Sequence, residues 1–221
     1  MNRKIFFAIF LFFAVSLGSS MFTSCSETST EEEEYANWQS RNVAFFDSIY
    51  NVALANADGK WDTIRAWSLN PNATNLARTS YIVVHKEEVG DGTECPLYTD
   101  SVIVHNFGKL LPSKTYKDGN VIEKSYEGGI DDYNEKTARA KKWAVSGLID
   151  GYTTALQHMH VGDRWKVYVP WTLAYGTTLY NSIPAYSVLI WNIKLLGIYH
   201  AGETLPDLNA KKQTLNEWTT D

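Results

Sequence analysis

"GLIDGYTTALQHMHVGDRWKVYVPWTLAYG", residues 147–176, is the stretch whose reading decides the fold. Its early part, "IDGYTTALQHM", has the length of a short helix, and "HVGD" turns the chain into "RWKVYV", a strand rich in β-branched and aromatic residues. The strand runs out at Pro170 and Trp171. Loops are ordinarily polar, yet this one stays apolar as far as a Tyr175–Gly176 pair. A half-buried loop with a tyrosine at its tip implies something for that tyrosine to hold.

Working outward, "SVLIWNIKLLGI" reads as a long final strand, and "SYIVVHKEEV" and "SVIVHNFGKLL" as two earlier ones. "VIEKSY" and "WAVSG" read as short strands, and "EGGIDDYNEKTARAKK" between them as an irregular loop. Several antiparallel strands with one short helix inserted late imply an α+β domain, a bent antiparallel sheet wrapped around that helix. Ahead of it, Trp38, Phe45, Phe46, Ile49, Val52 and Ala53 recur at helical spacing over 35–55. This extra N-terminal helix either packs on the sheet or mediates dimer contacts. "WDTIRAWSLNPNATN" then reads as a turn-rich connector that closes a 35–78 helical segment, with the main domain over 79–199 and a polar tail over 200–221.

The chain's 221 residues, 44% hydrophobic and 20% charged, suit one globular domain with an added segment. A net charge of −5 offers nucleic acid no long-range attraction. "MNRK" followed by "IFFAIFLFFAVSLG" has the form of a secretory signal over 1–24, too short for a membrane span. "SSMFTSC" brings small residues up to Cys25, which resembles a bacterial lipoprotein signal whose new N-terminal cysteine carries the lipid; the alternative is an ordinary signal peptide with a chance cysteine. "SETSTEEEE" continues residues 25–34 as an acidic tether, a solvated spacer or a surface-export tag. With Cys25 lipidated, Cys95 remains as a packing residue in a loop.

The order of motifs over 147–198 resembles the FKBP-type peptidyl-prolyl isomerases. That family's pattern is Val-Ile-x-Gly-Trp, x-x-Ala-Leu-x-x-Met-x-x-Gly, a strand, Pro-x-x-Leu-Ala-Tyr-Gly, Ile-Pro and a strand ending Leu-Leu-x-Ile. "VIVHNFGKL" is similar to its Val-x-Val-His-Tyr-x-Gly-x-Leu strand, so the resemblance covers about residues 80–198. It implies rotation about X-Pro bonds in an apolar cleft, with proline-containing polypeptides as partners, no cofactor and no metal. The residues it implies as catalytic are Tyr175 and Ile149, which bond ligand carbonyls, with Tyr152 at the floor in place of Trp and Glu123 in place of Asp. Substrate contacts fall to Leu148, Trp191 in place of Phe, Ile122 in place of Phe, Asn106 in place of Tyr, Trp143 and Ile183.

Three functions stay open: an isomerase lipid-anchored at the outer membrane, a non-catalytic binding module that kept the scaffold, and a structural surface lipoprotein whose pocket is filled by its own side chains. His158 and His160 have no evident third metal ligand, and Asp131 and Asp132 lack the rest of a calcium loop.

Overall fold

The computed structural model describes residues 33–205 of the chain. The fold below belongs to the unit that starts at Glu34. The signal segment, Cys25, the acidic run to residue 32 and the tail from residue 206 lie outside the described residues.

The architecture is α+β. Seven strands form one antiparallel sheet among the described residues: β1 (Trp61–Arg65), β2 (Tyr81–Glu88), β3 (Ser101–Lys109), β4 (Val121–Lys124), β5 (Lys141–Ala144), β6 (Arg164–Val169) and β7 (Leu189–Tyr199). The order is β1-β2-β6-β7-β3. β5 and β4 then share the far edge of β3, one on Ser101–Val104 and the other on Phe107–Lys109. β7 pairs with β6 over Leu189–Lys194 and with β3 from Ile190 to Tyr199, so it is the spine of the sheet.

Alternation along the strands sorts two faces. Trp165, Val167 and Val169 of β6 share a face with Ile193, Trp191 and Leu189 of β7. The short helix α2 (Asp150–Leu156) lies on that inner face, every residue from Gly151 to Leu156 buried. Burying a side chain such as Leu156 or Ile193 contributes about 1.5–3 kcal/mol. Gly151 sets the distance, since a Cβ there would fall 2.3 Å from Val169 Cγ1.

The outer face is covered too. Helix α1 (Trp38–Ala55) lays Phe45 against Tyr168 and Tyr50 against Tyr81, each pair with ring centroids 6.1 Å apart. Farther along, the β4–β5 segment folds back, burying Ile130 and setting Tyr133 against His105. Coverage on both sides explains why β3 is buried at seven consecutive residues rather than at every second one.

Two expectations change. The stretch read as a connector begins with β1, which pairs along its whole length with β2; five residues are too few for alternation to stand out. Within α1, Val52 points to solvent, and the fully buried polar residue Asn42 takes a place in the packed face.

The acidic tether is also tied down at its end. Glu34 accepts hydrogen bonds from the Ser113 hydroxyl, the Thr115 hydroxyl at 2.6 Å and the Thr115 N–H at 2.9 Å. These bonds, Ser113's first, lower its pKa from 4.5 to about 2. Because the folded value is the lower one, the contribution is complete above about pH 4.5 and is lost as pH falls toward 2. In Glu34→Gln the drop in urea midpoint across that window should be smaller than in the parent chain, as equilibrium unfolding at stepped pH would record.

Candidate active site

The inner face of the sheet, the entry to α2 and the loop between β6 and β7 line one cavity of about 460 Å³. The structure brings to it all ten pocket residues read from the sequence. Asn106 comes from β3, Ile122 and Glu123 from β4, and Trp143 from β5. Leu148 and Ile149 stand where the chain enters α2, and Tyr152 lies within that helix. Tyr175 and Ile183 come from the loop, and Trp191 from β7.

The floor is aromatic. Trp191 lies against the backbone of Gly108, where a Cβ would meet its ring at 2.2 Å, and Tyr152 meets it edge-on with centroids 5.1 Å apart. Asn106 Oδ1, Trp143 Nε1, Tyr152 Oη and Trp191 Nε1 are all buried without a hydrogen-bond partner among the described residues. Burial pushes the Tyr152 hydroxyl far above the ordinary phenol value. Asn106 opposes the shift, although the two groups do not meet in hydrogen-bonding geometry. The hydroxyl is thus a neutral group that carries a desolvation cost without a bond. Tyr152→Phe should leave stability unchanged or raise it by about 1 kcal/mol. A loss larger than that in urea unfolding would mean the hydroxyl is bonded.

The rim is built around Tyr175. The Gly176 N–H bonds Trp171 O and the Tyr186 N–H bonds Gly176 O, each at 2.9 Å, so the Tyr-Gly corner is tied at both ends. Tyr180 stacks on the Tyr175 ring, centroids 4.1 Å apart and planes within 7°. Burial, and then Tyr180, raise the Tyr175 pKa, keeping its hydroxyl a donor at neutral pH. Tyr180 and Ile183 exchange two backbone bonds across a turn in which Asn181 has φ 51°. Tyr180 was missed because "TTLYNS" has no period and looks like any polar turn. The Glu123 carboxylate pairs with Lys141 Nζ at 3.1 Å, so its charge is already engaged.

Other flagged residues have structural partners. Asp131 pairs with Lys166, Asp132 accepts from Gly129 N–H at 2.7 Å, and His158 Nδ1 lies 2.8 Å from Thr154 O. Cys95 Sγ lies 3.5 Å from His160 Nε2, a contact that spacing did not signal. Burial, and then Asp163, push the Cys95 thiol up, so it is not an activated thiolate.

A sheet carrying a short helix on its inner face, with an aromatic pocket between them under a tyrosine, defines a class. Residues 92–196 match the family of FKBP-type peptidyl-prolyl cis-trans isomerases. The chain is 33% identical over 134 residues to the macrophage infectivity potentiator of Trypanosoma cruzi, a match covering 60% of each protein. It is 36% identical over 110 residues to the FKBP-type 22 kDa peptidyl-prolyl cis-trans isomerase of Escherichia coli, covering 49% of this chain and 46% of that one. It is 37% identical over 115 residues to the outer membrane protein MIP of Legionella longbeachae, covering 52% and 42%. The chain thus spans about half the length of these relatives.

Proposed function

We propose that this chain is a peptidyl-prolyl cis-trans isomerase that acts on proline-containing segments of extracytoplasmic proteins. A lipid on Cys25 would hold it at the outer membrane. The observation that carries the reading is the cleft: aromatic and aliphatic walls beneath a tyrosine that remains a hydroxyl donor. For the anchor, the support is the signal-like run ending at Cys25, together with the likeness to an outer membrane protein.

Rotation about a peptide bond faces a barrier of about 18–20 kcal/mol because resonance holds the amide planar. X-Pro bonds isomerise in tens to hundreds of seconds unaided. No covalent step is needed to speed them. The twisted amide has lost conjugation, and its carbonyl carries less charge than the planar ground state. A pocket walled by Trp191, Tyr152, Trp143 and Ile183 solvates that form better than it solvates the planar one. The prolyl ring would sit on Trp191, while the Tyr175 hydroxyl and the Ile149 N–H hold carbonyls on either side of the rotating bond. With its ends held, the bond turns rather than the whole peptide.

A second reading, a binding module with little turnover, is favoured by one observation: Glu123 spends its charge on Lys141. A protease-coupled assay on X-Pro peptides separates the two. The parent protein should accelerate exchange, and Tyr175→Phe should lower kcat/KM about five- to tenfold, the loss of one hydrogen bond of about 1 kcal/mol. A parent rate equal to spontaneous exchange, with peptide binding retained, would leave the binding module.

A further inference from the structure

Helix α1 lies outside residues 92–196 that match the family, yet it is bonded to the cleft's loop wall. We propose that Trp38 and Asn42 are positioning residues for the cleft, holding through Ser187 and Val188 the segment that carries Ile183. The proposal rests on the reading of that cleft as a prolyl-peptide site.

Both residues lie on the first turns of α1, Trp38 at 6% exposure and Asn42 at 0%. The Trp38 Nε1–H donates to Ser187 Oγ at 2.9 Å, and the Ser187 hydroxyl in turn donates to Pro184 O at 2.6 Å. Asn42 Oδ1 accepts the Val188 N–H at 2.7 Å, while its Nδ2 donates to Trp38 O at 2.7 Å. The second bond fixes the amide's orientation, so Oδ1 is held toward Val188. An Asn buried this deeply is costly unless paired. A helix that merely covered the sheet would carry an aliphatic residue here.

The segment they grip needs gripping. Tyr186, between Pro184 and Ser187, has φ 61°, a left-handed conformation that bulky side chains rarely adopt. Such a residue stays put only when its surroundings over-determine it. Here the Gly176 carbonyl and the Trp171 ring, centroids 5.1 Å apart, hold Tyr186 itself. The two bonds from α1 hold the residues that follow it. On one side this stretch continues from Ile183 and the Tyr180 turn, and on the other it leads into β7 and Trp191. Released, it would move one wall of the cleft relative to the floor.

The test uses the full chain with three variants. Asn42→Leu removes both amide bonds at similar volume, Trp38→Phe removes only the N–H, and Phe46→Leu trims the same buried helix face without touching a bond. Amide hydrogen exchange and titration with a short X-Pro peptide are read on each. Asn42→Leu and, more weakly, Trp38→Phe should speed exchange at residues 183–188 at least tenfold and raise the peptide Kd about three- to tenfold. Phe46→Leu should lower Tm while leaving both readouts within about twofold. If Asn42→Leu and Trp38→Phe leave exchange at 183–188 at the parent rate, the inference is overturned whether or not peptide binds. Faster exchange with unchanged Kd overturns the link to the cleft. A parent protein that binds no prolyl peptide instead defeats the reading on which the inference rests.

Discussion

Contact between the Trp191 ring and the bare backbone of Gly108 governs the depth of the cleft. The two residues sit opposite each other on β7 and β3, and a side chain at 108 would occupy the space the indole now fills. With the indole held there, its other side presents a surface that Tyr152 braces edge-on from α2. Interiors pack nearly as tightly as crystals, so neither ring has room to shift alone. The floor, the helix that carries Tyr152 and the central pair of strands are therefore one mechanical unit.

Around that unit, coverage on both faces does a second job. The inner face alone would bury α2 and leave Tyr168, Ile190 and Val83 on the other side in water; α1 covers that side instead. The far part of the outer face is closed by charge as well as by Ile130 and Tyr133. Arg164 joins Glu87 and Glu88, Lys194 joins Glu88, and Lys166 joins Asp131 of the folded-back loop. The Arg164, Lys166, Lys194 and Glu87 side chains are largely buried, only Glu88 and Asp131 being exposed, and as a network they fix the loop's place over β6 and β7.

Much of this was legible in the sequence, because the decisive signals are local. Ordered motifs from Gly147 to Ile198 define a helix, two strands and a Tyr-Gly corner whose spacing leaves few ways to close. Once that frame is known, residues as distant as Asn106 and Trp191 follow onto one cavity. What escaped were features that exist only through long-range partners. β1 is five residues with an Asp and an Arg, and only β2 makes it a strand. Asn42 looks like a solvent-facing helix residue until Val188 appears beside it. The end of the acidic run looks free until Ser113 and Thr115, about eighty positions away, are seen to bond Glu34. Tyr180 gains meaning only when stacked on Tyr175.

The chemistry proposed for this site is modest in kind and demanding in geometry. It needs no nucleophile and no bound ion, only a hollow that suits a twisted amide better than a planar one, with donors to pin the flanking carbonyls. Exchange NMR of a short X-Pro peptide with a small fraction of the protein tests that directly. The account predicts cis–trans exchange cross-peaks at mixing times where the free peptide shows none, with the Trp143 and Trp191 indole N–H signals displaced by the peptide. Exchange at the spontaneous rate, with both indole signals unmoved, would contradict it.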